Sequence, residues 1–202
     1  MNSRERYIRF YTICMFLVLA LLPVLGISSA EAPQVEKPTM EITGFYTEAE
    51  GSLPSSFSSL SSNAKNISVV APFYYRIDKQ GGVEKWDGVS EEQVKILTAY
   101  AKERNVKVLA LVHNLLYGKS GIGKKRAQAV LKDYHSRERF AGEVTQMVTE
   151  SGYDGVMLDI EDIRNRDRDK FSALVKQMKE KFADRNLTVA VTVPPETGES
   201  VK

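Results

Sequence analysis

Strand-like apolar runs alternate with amphipathic stretches along most of this 202-residue chain, and few folds accept that order. The runs are Met40 to Thr47, Ile67 to Ile77, Val106 to Asn114, Gly155 to Glu161 and Leu187 to Pro194. All are short and rich in β-branched or aromatic residues. Between them, Ser90 to Arg104 carries Val94, Leu97 and Ala101 at helical spacing, and Ser136 to Ser151 carries Phe140, Val144, Met147 and Val148. Asp169 to Phe182 repeats the pattern with Phe171, Leu174, Val175 and Met178. Ser90 followed by Glu91, Glu92 and Gln93 predicts a capping-box start for the first of these helices. Strand, helix, strand in repetition predicts an α/β protein with parallel strands and helices outside them. There is no internal sequence repeat. A composition of 43% hydrophobic and 27% charged residues suits a packed core and excludes a disordered chain.

Two segments read as surface loops. Ser52 to Ser62 is Ser-rich and is expected to be a loop or a poor helix. Gly118 to Lys125 resembles a phosphate loop, but Walker spacing would need glycine where His113 stands, and Arg126 occupies the third glycine position of GxGxxG. A basic surface loop is expected there, and no nucleotide.

The first thirty residues carry the signs of export. Arg4, Arg6 and Arg9 precede the apolar stretch Tyr11 to Ile27, and Ser28, Ser29 and Ala30 supply small residues for cleavage. Residues 1–30 are therefore expected to be a Sec-type signal peptide and residues 31–40 a short linker. The product is expected to be secreted or held at the cell envelope, touching membrane only if the N-terminal segment stays uncleaved. The three leader arginines face Glu5 alone, so the whole net charge of +2 belongs to the leader, and the remaining chain is balanced. A neutral chain lacks the electrostatic footprint of a nucleic-acid binder, so no nucleic-acid partner is expected. Cys14, the only cysteine, lies inside the apolar leader, which leaves the mature chain without a disulfide or a thiolate.

The segment that carries chemistry runs from Tyr153 to Asp162. Read as a strand, it sends Val156, Leu158 and Ile160 to one face and Met157, Asp159 and Glu161 to the other. The first face is fit for packing under helices. The second carries two carboxylates toward the C-terminal end of the strand, where parallel α/β folds build their sites. Burying both would raise their proton affinity, so the pair is expected to share a proton near neutrality, as a general acid requires. The alternatives are a carboxylate pair held by an Arg or Lys, or an acidic metal site. His113 and His135 fall in no ligand-spaced cluster, so no metal or other cofactor is expected. Tyr46, Tyr75 and Asn114 stand near strand ends, where they could line a groove or simply pack.

Asp154-Gly155-Val156-Met157-Leu158-Asp159-Ile160-Glu161 resembles the DGxDxDxE motif of family 18 glycoside hydrolases, the chitinase family. The runs Gly44-Phe45-Tyr46-Thr47, Ala71-Pro72-Phe73-Tyr74-Tyr75 and Val191-Thr192-Val193-Pro194-Pro195-Glu196 are similar to the bacterial branch that includes spore-germination cortex hydrolases. The resemblance covers about Glu41 to Glu196. It implies a (β/α)8 barrel of the TIM type, with residues 41–202 forming its N-terminal part. It also implies hydrolysis of β-1,4-linked N-acetylglucosamine polymers, peptidoglycan or chitin, by a retaining mechanism in which the substrate's own acetamido group is the nucleophile. Glu161 would be the acid/base and Asp159 its partner, with Asp154 the opening residue of the motif.

Two departures from the family pattern accompany the likeness. Met157 stands where the family carries Asp or Asn, so Asp159 lacks the hydrogen-bonding partner that the family places beneath it, and its tuning is expected to differ. Beyond residue 30 the 172 remaining residues provide about five β/α units, whereas a complete barrel takes about 250 residues. A partial barrel is expected, and an inactive or sugar-binding remnant is the alternative reading.

Overall fold

A computed structural model describes residues 40–115 and 121–193. The signal segment, most of the linker, the Gly118 to Ser120 part of the basic loop and Pro194 to Glu196 lie outside the described residues. In chain order the elements are β1 (Thr43–Tyr46), α1 (Phe57–Asn63), β2 (Val69–Pro72), β3 (Tyr75–Ile77), β4 (Val83–Lys85), α2 (Glu91–Lys102), β5 (Lys107–His113), α3 (Ile122–Leu131), α4 (Tyr134–Glu150), β6 (Gly155–Asp159), α5 (Arg168–Phe182) and β7 (Thr188–Val191).

Strands β1, β2, β5, β6 and β7 lie side by side in that order and all run parallel. This is the expected α/β architecture with about five units of a TIM-type barrel. The run Ile67 to Ile77 departs from expectation by dividing in two. Pro72, which has no N–H to give a ladder, ends β2, and the chain turns so that β3 pairs with the last residues of β5. β4 then folds back on β3 as an antiparallel hairpin that the sequence reading did not separate.

The sheet is buried on both sides at its centre, with every residue of β2 and β6 buried. On the helix side, Val156, Leu158 and Ile160 join Val108, Ala110 and Val112 against Phe140, Val144, Leu174 and Met178. On the other side, Val69, Ala71, Leu109, Leu111 and Met157 form a second apolar layer, joined by Phe73 and Ala190. The helices expected from periodicity all form. Ser90 caps α2 as a full capping box with Gln93, which satisfies backbone donors at that helix start.

The Ser-rich segment takes the helical one of its two expected states, and the loop expected at the basic segment is corrected. Residues 57–63 are helical, because Leu60 finds a buried seat that offsets the poor helix propensity of the serines around it. The end of the basic segment, from Ile122 onward, opens α3, whose start is set by Gly121 in the left-handed conformation. Arg126, Ala127, Val130 and Leu131 are its buried face. Among the described residues no helix is long and apolar enough to cross a membrane.

Candidate active site

Period two places one inward side chain at the C-terminal end of each parallel strand. β1 contributes Phe45, and Phe73 follows β2 on the same face as Val69 and Ala71. β5 ends at His113 and β6 at Asp159, which are paired across the ladder. Thr192, two residues beyond Ala190, completes the row. The rings of Phe45 and Phe73 lie 5.5 Å apart, and those of Phe73 and His113 lie 5.6 Å apart. Thr192 Oγ1 donates to Asp159 Oδ1. The row therefore crosses the sheet as aromatic, aromatic, imidazole, carboxylate, hydroxyl, above the apolar layer that contains Met157.

Asp159 is 8% exposed, and Glu161 is exposed. The expectation that both carboxylates are buried on one strand is thus corrected for Glu161. β6 ends at Asp159, and the chain leaves the ladder through Ile160 to a left-handed turn at Asp162, where φ is 57°. Beyond the ladder the alternation of faces no longer applies. Glu161 and Asp159 still line one open groove of about 880 Å3 at the end of β6 and β7, together with Thr192 and Arg168. Among the described residues Glu161 makes no ion pair.

Four other residues expected at the site lie elsewhere or act differently. Asp154 stands at the opposite end of β6, roughly 16 Å from Asp159 at about 3.3 Å per strand residue. There its carboxylate accepts from the Val108 N–H at 2.8 Å, and its own N–H donates to Val108 O at 2.9 Å, which ties the start of β6 to β5. Tyr46 and Tyr75 are 3% and 4% exposed and pack in the helix-side core. Tyr46 meets Tyr74 edge to face, and the Tyr75 hydroxyl lies 3.4 Å from that of Tyr153. Neither lines a groove, because both have the outward parity of their strands. Asn114 is 1% exposed and binds backbone instead of facing solvent. Its Nδ2 donates to Glu161 O at 2.8 Å and its Oδ1 accepts from the Glu161 N–H at 2.9 Å.

Met157 is 7% exposed, among Ala71, Leu109 and Leu111, and offers Asp159 no hydrogen bond from below. The Thr192 hydroxyl is the side-chain donor that Asp159 has instead. Phe45, Phe73 and Thr192 were not singled out from the sequence as site residues, and His113 was weighed only as a metal ligand. The parity of Met157 and Asp159 would have found them once carried across the sheet through the register Phe45↔Ala71 and His113↔Asp159.

Burial holds the His113 imidazole below its ordinary 6.5, an effect that the Asp159 charge opposes and those of Arg76 and Arg126 reinforce. Its Nδ1 accepts from the Leu115 N–H at 3.2 Å, which leaves Nε2 as the protonated nitrogen of the neutral ring. A histidine held neutral in the fold adds stability above pH 6.5 that is lost as the pH falls through the lower folded value. His113→Phe is therefore expected to lose less stability than the wild type on acidification below pH 6.5. Denaturant titrations at a series of pH values measure it, and parallel curves for the two proteins would contradict it.

A second cleft of about 180 Å3 is lined by Phe73, His113, Trp86 and Arg76. Arg76 there is engaged by Glu84 at 2.6 Å.

The profile of Glycosyl hydrolases family 18 matches residues 41–201. Among named proteins, the chain is 26% identical over 99 residues to YdhD of Bacillus subtilis, whose name describes a sporulation-specific glycosylase. That stretch is 49% of this chain and 23% of YdhD. Among solved structures, the spore cortex-lytic enzyme SleL of Bacillus megaterium QM B1551 superposes with a TM-score of 0.66 at 20% identity, over 80% of this chain and 36% of SleL. A chitinase from Chromobacterium violaceum ATCC 12472 superposes with a TM-score of 0.63 at 18% identity, over 76% of this chain and 45% of the other. The chain thus spans less than half the length of each of these relatives, and the superpositions share the fold of TIM-type chitinase structures. With its profile match over residues 41–201, the chain belongs to the glycosyl hydrolases of family 18.

Proposed function

We propose that this protein is an exported glycoside hydrolase that cleaves β-1,4-linked N-acetylglucosamine polymers with retention of configuration. The observation that carries the reading is the pairing of a buried carboxylate, Asp159, with an exposed and unengaged one, Glu161, at a single groove at the strand ends. In the proposed reaction Glu161 gives its proton to the glycosidic oxygen as the bond to the anomeric carbon breaks. The substrate's acetamido oxygen bonds to that carbon and forms an oxazolinium ion, so the protein supplies no nucleophile. Asp159 offsets the positive charge that develops on the acetamido group. Glu161 then takes a proton from the water that opens the ring. The exposed face of Phe45 offers a stacking surface to a pyranose at the other end of the row.

The names of YdhD and SleL favour peptidoglycan, and in particular spore cortex, as the polymer. Export through residues 1–30 agrees with a substrate outside the cytoplasm. Incubation with chitooligosaccharides and with purified cortex fragments tests the reading. Release of reducing ends whose new anomeric centre is β by NMR supports it, and an α product would sink it. The alternative of a sugar-binding remnant, favoured by Met157, is selected by saturable glycan binding with no turnover.

The absence of a partner beneath Asp159 gives Thr192 an expected weight in this reaction. A hydrogen bond to a charged group contributes about 1.5–3 kcal/mol, so Thr192→Val is expected to lower kcat on the order of tenfold or more. Thr192→Ser, which keeps the hydroxyl, should stay near wild type. Equal rates for the valine and serine variants would show that the hydroxyl does not orient Asp159.

A further inference from the structure

Glu161 lies beyond the end of β6, where no ladder hydrogen bond fixes the backbone. A general acid must nevertheless stand within hydrogen-bond reach of one oxygen, and misplacement of about 1 Å can cost on the order of 100-fold in rate. The structure offers one device that supplies this constraint. The Asn114 amide meets both polar groups of the Glu161 residue, accepting from its N–H at 2.9 Å and donating to its C=O at 2.8 Å. Its second N–H donates to Gly123 O at 3.0 Å, in the first turn of α3. Both donors and the acceptor of the amide are thus occupied by backbone on three sides.

The surrounding structure keeps the amide from turning. Asn114 is 1% exposed. A Cβ at Gly123 would stand 2.7 Å from Asn114 O, so only glycine lets α3 approach this closely. A buried amide that cannot rotate imposes its geometry on what it binds, and here that is the peptide carrying the exposed carboxylate.

We propose that Asn114 is a positioning residue that sets where Glu161 stands, acting through the backbone and never touching substrate. The inference rests on the proposed hydrolase reading for its catalytic meaning, while its structural content can be tested without activity. In the full chain, the Glu161 amide is expected to exchange hydrogen at least 100-fold more slowly than the unstructured rate, although the residue is exposed and outside the ladder. Asn114→Ala is expected to abolish that protection while the amides of β5 and β6 remain slow. Asn114→Asp, which keeps the acceptor and the shape, serves as the second variant should alanine fail to fold. It is expected to retain partial protection at Glu161, because its oxygen can still accept while repelling the carbonyl.

In turnover assays both variants are expected to lose kcat by 10- to 100-fold with KM within about twofold of wild type. Fast exchange at Glu161 in the unmodified chain would overturn the proposal outright. So would a rise in KM at unchanged kcat, which is the signature of a side chain that binds sugar. If the unmodified chain shows slow exchange at Glu161 but no turnover of any glycan, the hydrolase reading fails and the backbone clamp stands.

Discussion

Glu161→Gln is expected to abolish glycan hydrolysis, with kcat falling by about 10²- to 10⁴-fold, while the melting temperature stays within about a degree of wild type. The two halves of this expectation have separate causes. The amide of glutamine has the shape of the carboxyl but no proton to give to a leaving oxygen, so both the first and the second step of the proposed reaction lose their proton carrier. Stability is spared because the Glu161 side chain is exposed, and the Asn114 clamp grips its backbone alone. Surface substitutions that break no such feature usually stay within about 0.5 kcal/mol. Asp159→Asn makes the informative contrast. Asn can still accept from Thr192, so the fold should persist, but the charge that offsets the acetamido cation is gone. Comparing reducing-end release with thermal melts for the two variants separates loss of chemistry from loss of structure. A glutamine variant that keeps more than a tenth of wild-type turnover would remove Glu161 from the role of acid.

The β/α alternation was legible because the central strands, buried on both faces, are continuous apolar runs, and the helices expected from periodicity show clean stripes. The division of Ile67 to Ile77 was not, since Pro72 interrupts a run whose hydrophobicity continues unbroken into β3. Helix α3 was hidden by Lys124 and Lys125, which are exposed on its outer face and disguise the buried Ala127, Val130 and Leu131. In both cases tertiary burial decided the outcome, a quantity that local composition does not carry.

At the site, the motif strand gave the right parity for Val156 through Ile160, because period two holds as long as the ladder does. The burial expected of Glu161 failed, as the ladder has ended by then and the residue is exposed. The aromatic residues show a different failure. Tyr46 and Tyr75 combine an aromatic face with a hydroxyl, yet Phe45, next to Tyr46, and Phe73, two residues before Tyr75 in the turn between β2 and β3, are the rings that stand in the row with Asp159. Choosing among these aromatic residues requires the register between strands, which a single sequence does not contain. Asp154 is the complementary case. It belongs to the motif by spacing and to the foot of the strand by geometry, where its bond to the Val108 N–H serves strand pairing.

Gly155→Ala is expected to destabilise the fold by on the order of 3–5 kcal/mol, enough to remove most soluble protein, although it adds one methyl group at a buried site. The residue opens β6 with φ at 154°, a conformation that L side chains rarely adopt. A Cβ there would stand 2.0 Å from Thr188 O and 2.7 Å from Thr188 N. Those atoms belong to the backbone of β7, which pairs with β6 from Gly155↔Thr188 to Leu158↔Val191, so relief requires the two strands to part. Parting them would also pull the Thr192 hydroxyl from Asp159, which makes the motif glycine a condition for the site as well as for the sheet. Gly142→Ala supplies the internal control. That glycine lies within α4, and a Cβ there meets nothing within 4 Å, so alanine should stabilise by up to about 1 kcal/mol through helix propensity. Denaturant melts of the two variants should therefore move in opposite directions. A Gly155→Ala protein that loses less than about 1 kcal/mol would mean that β6 and β7 are not held as closely as their register requires.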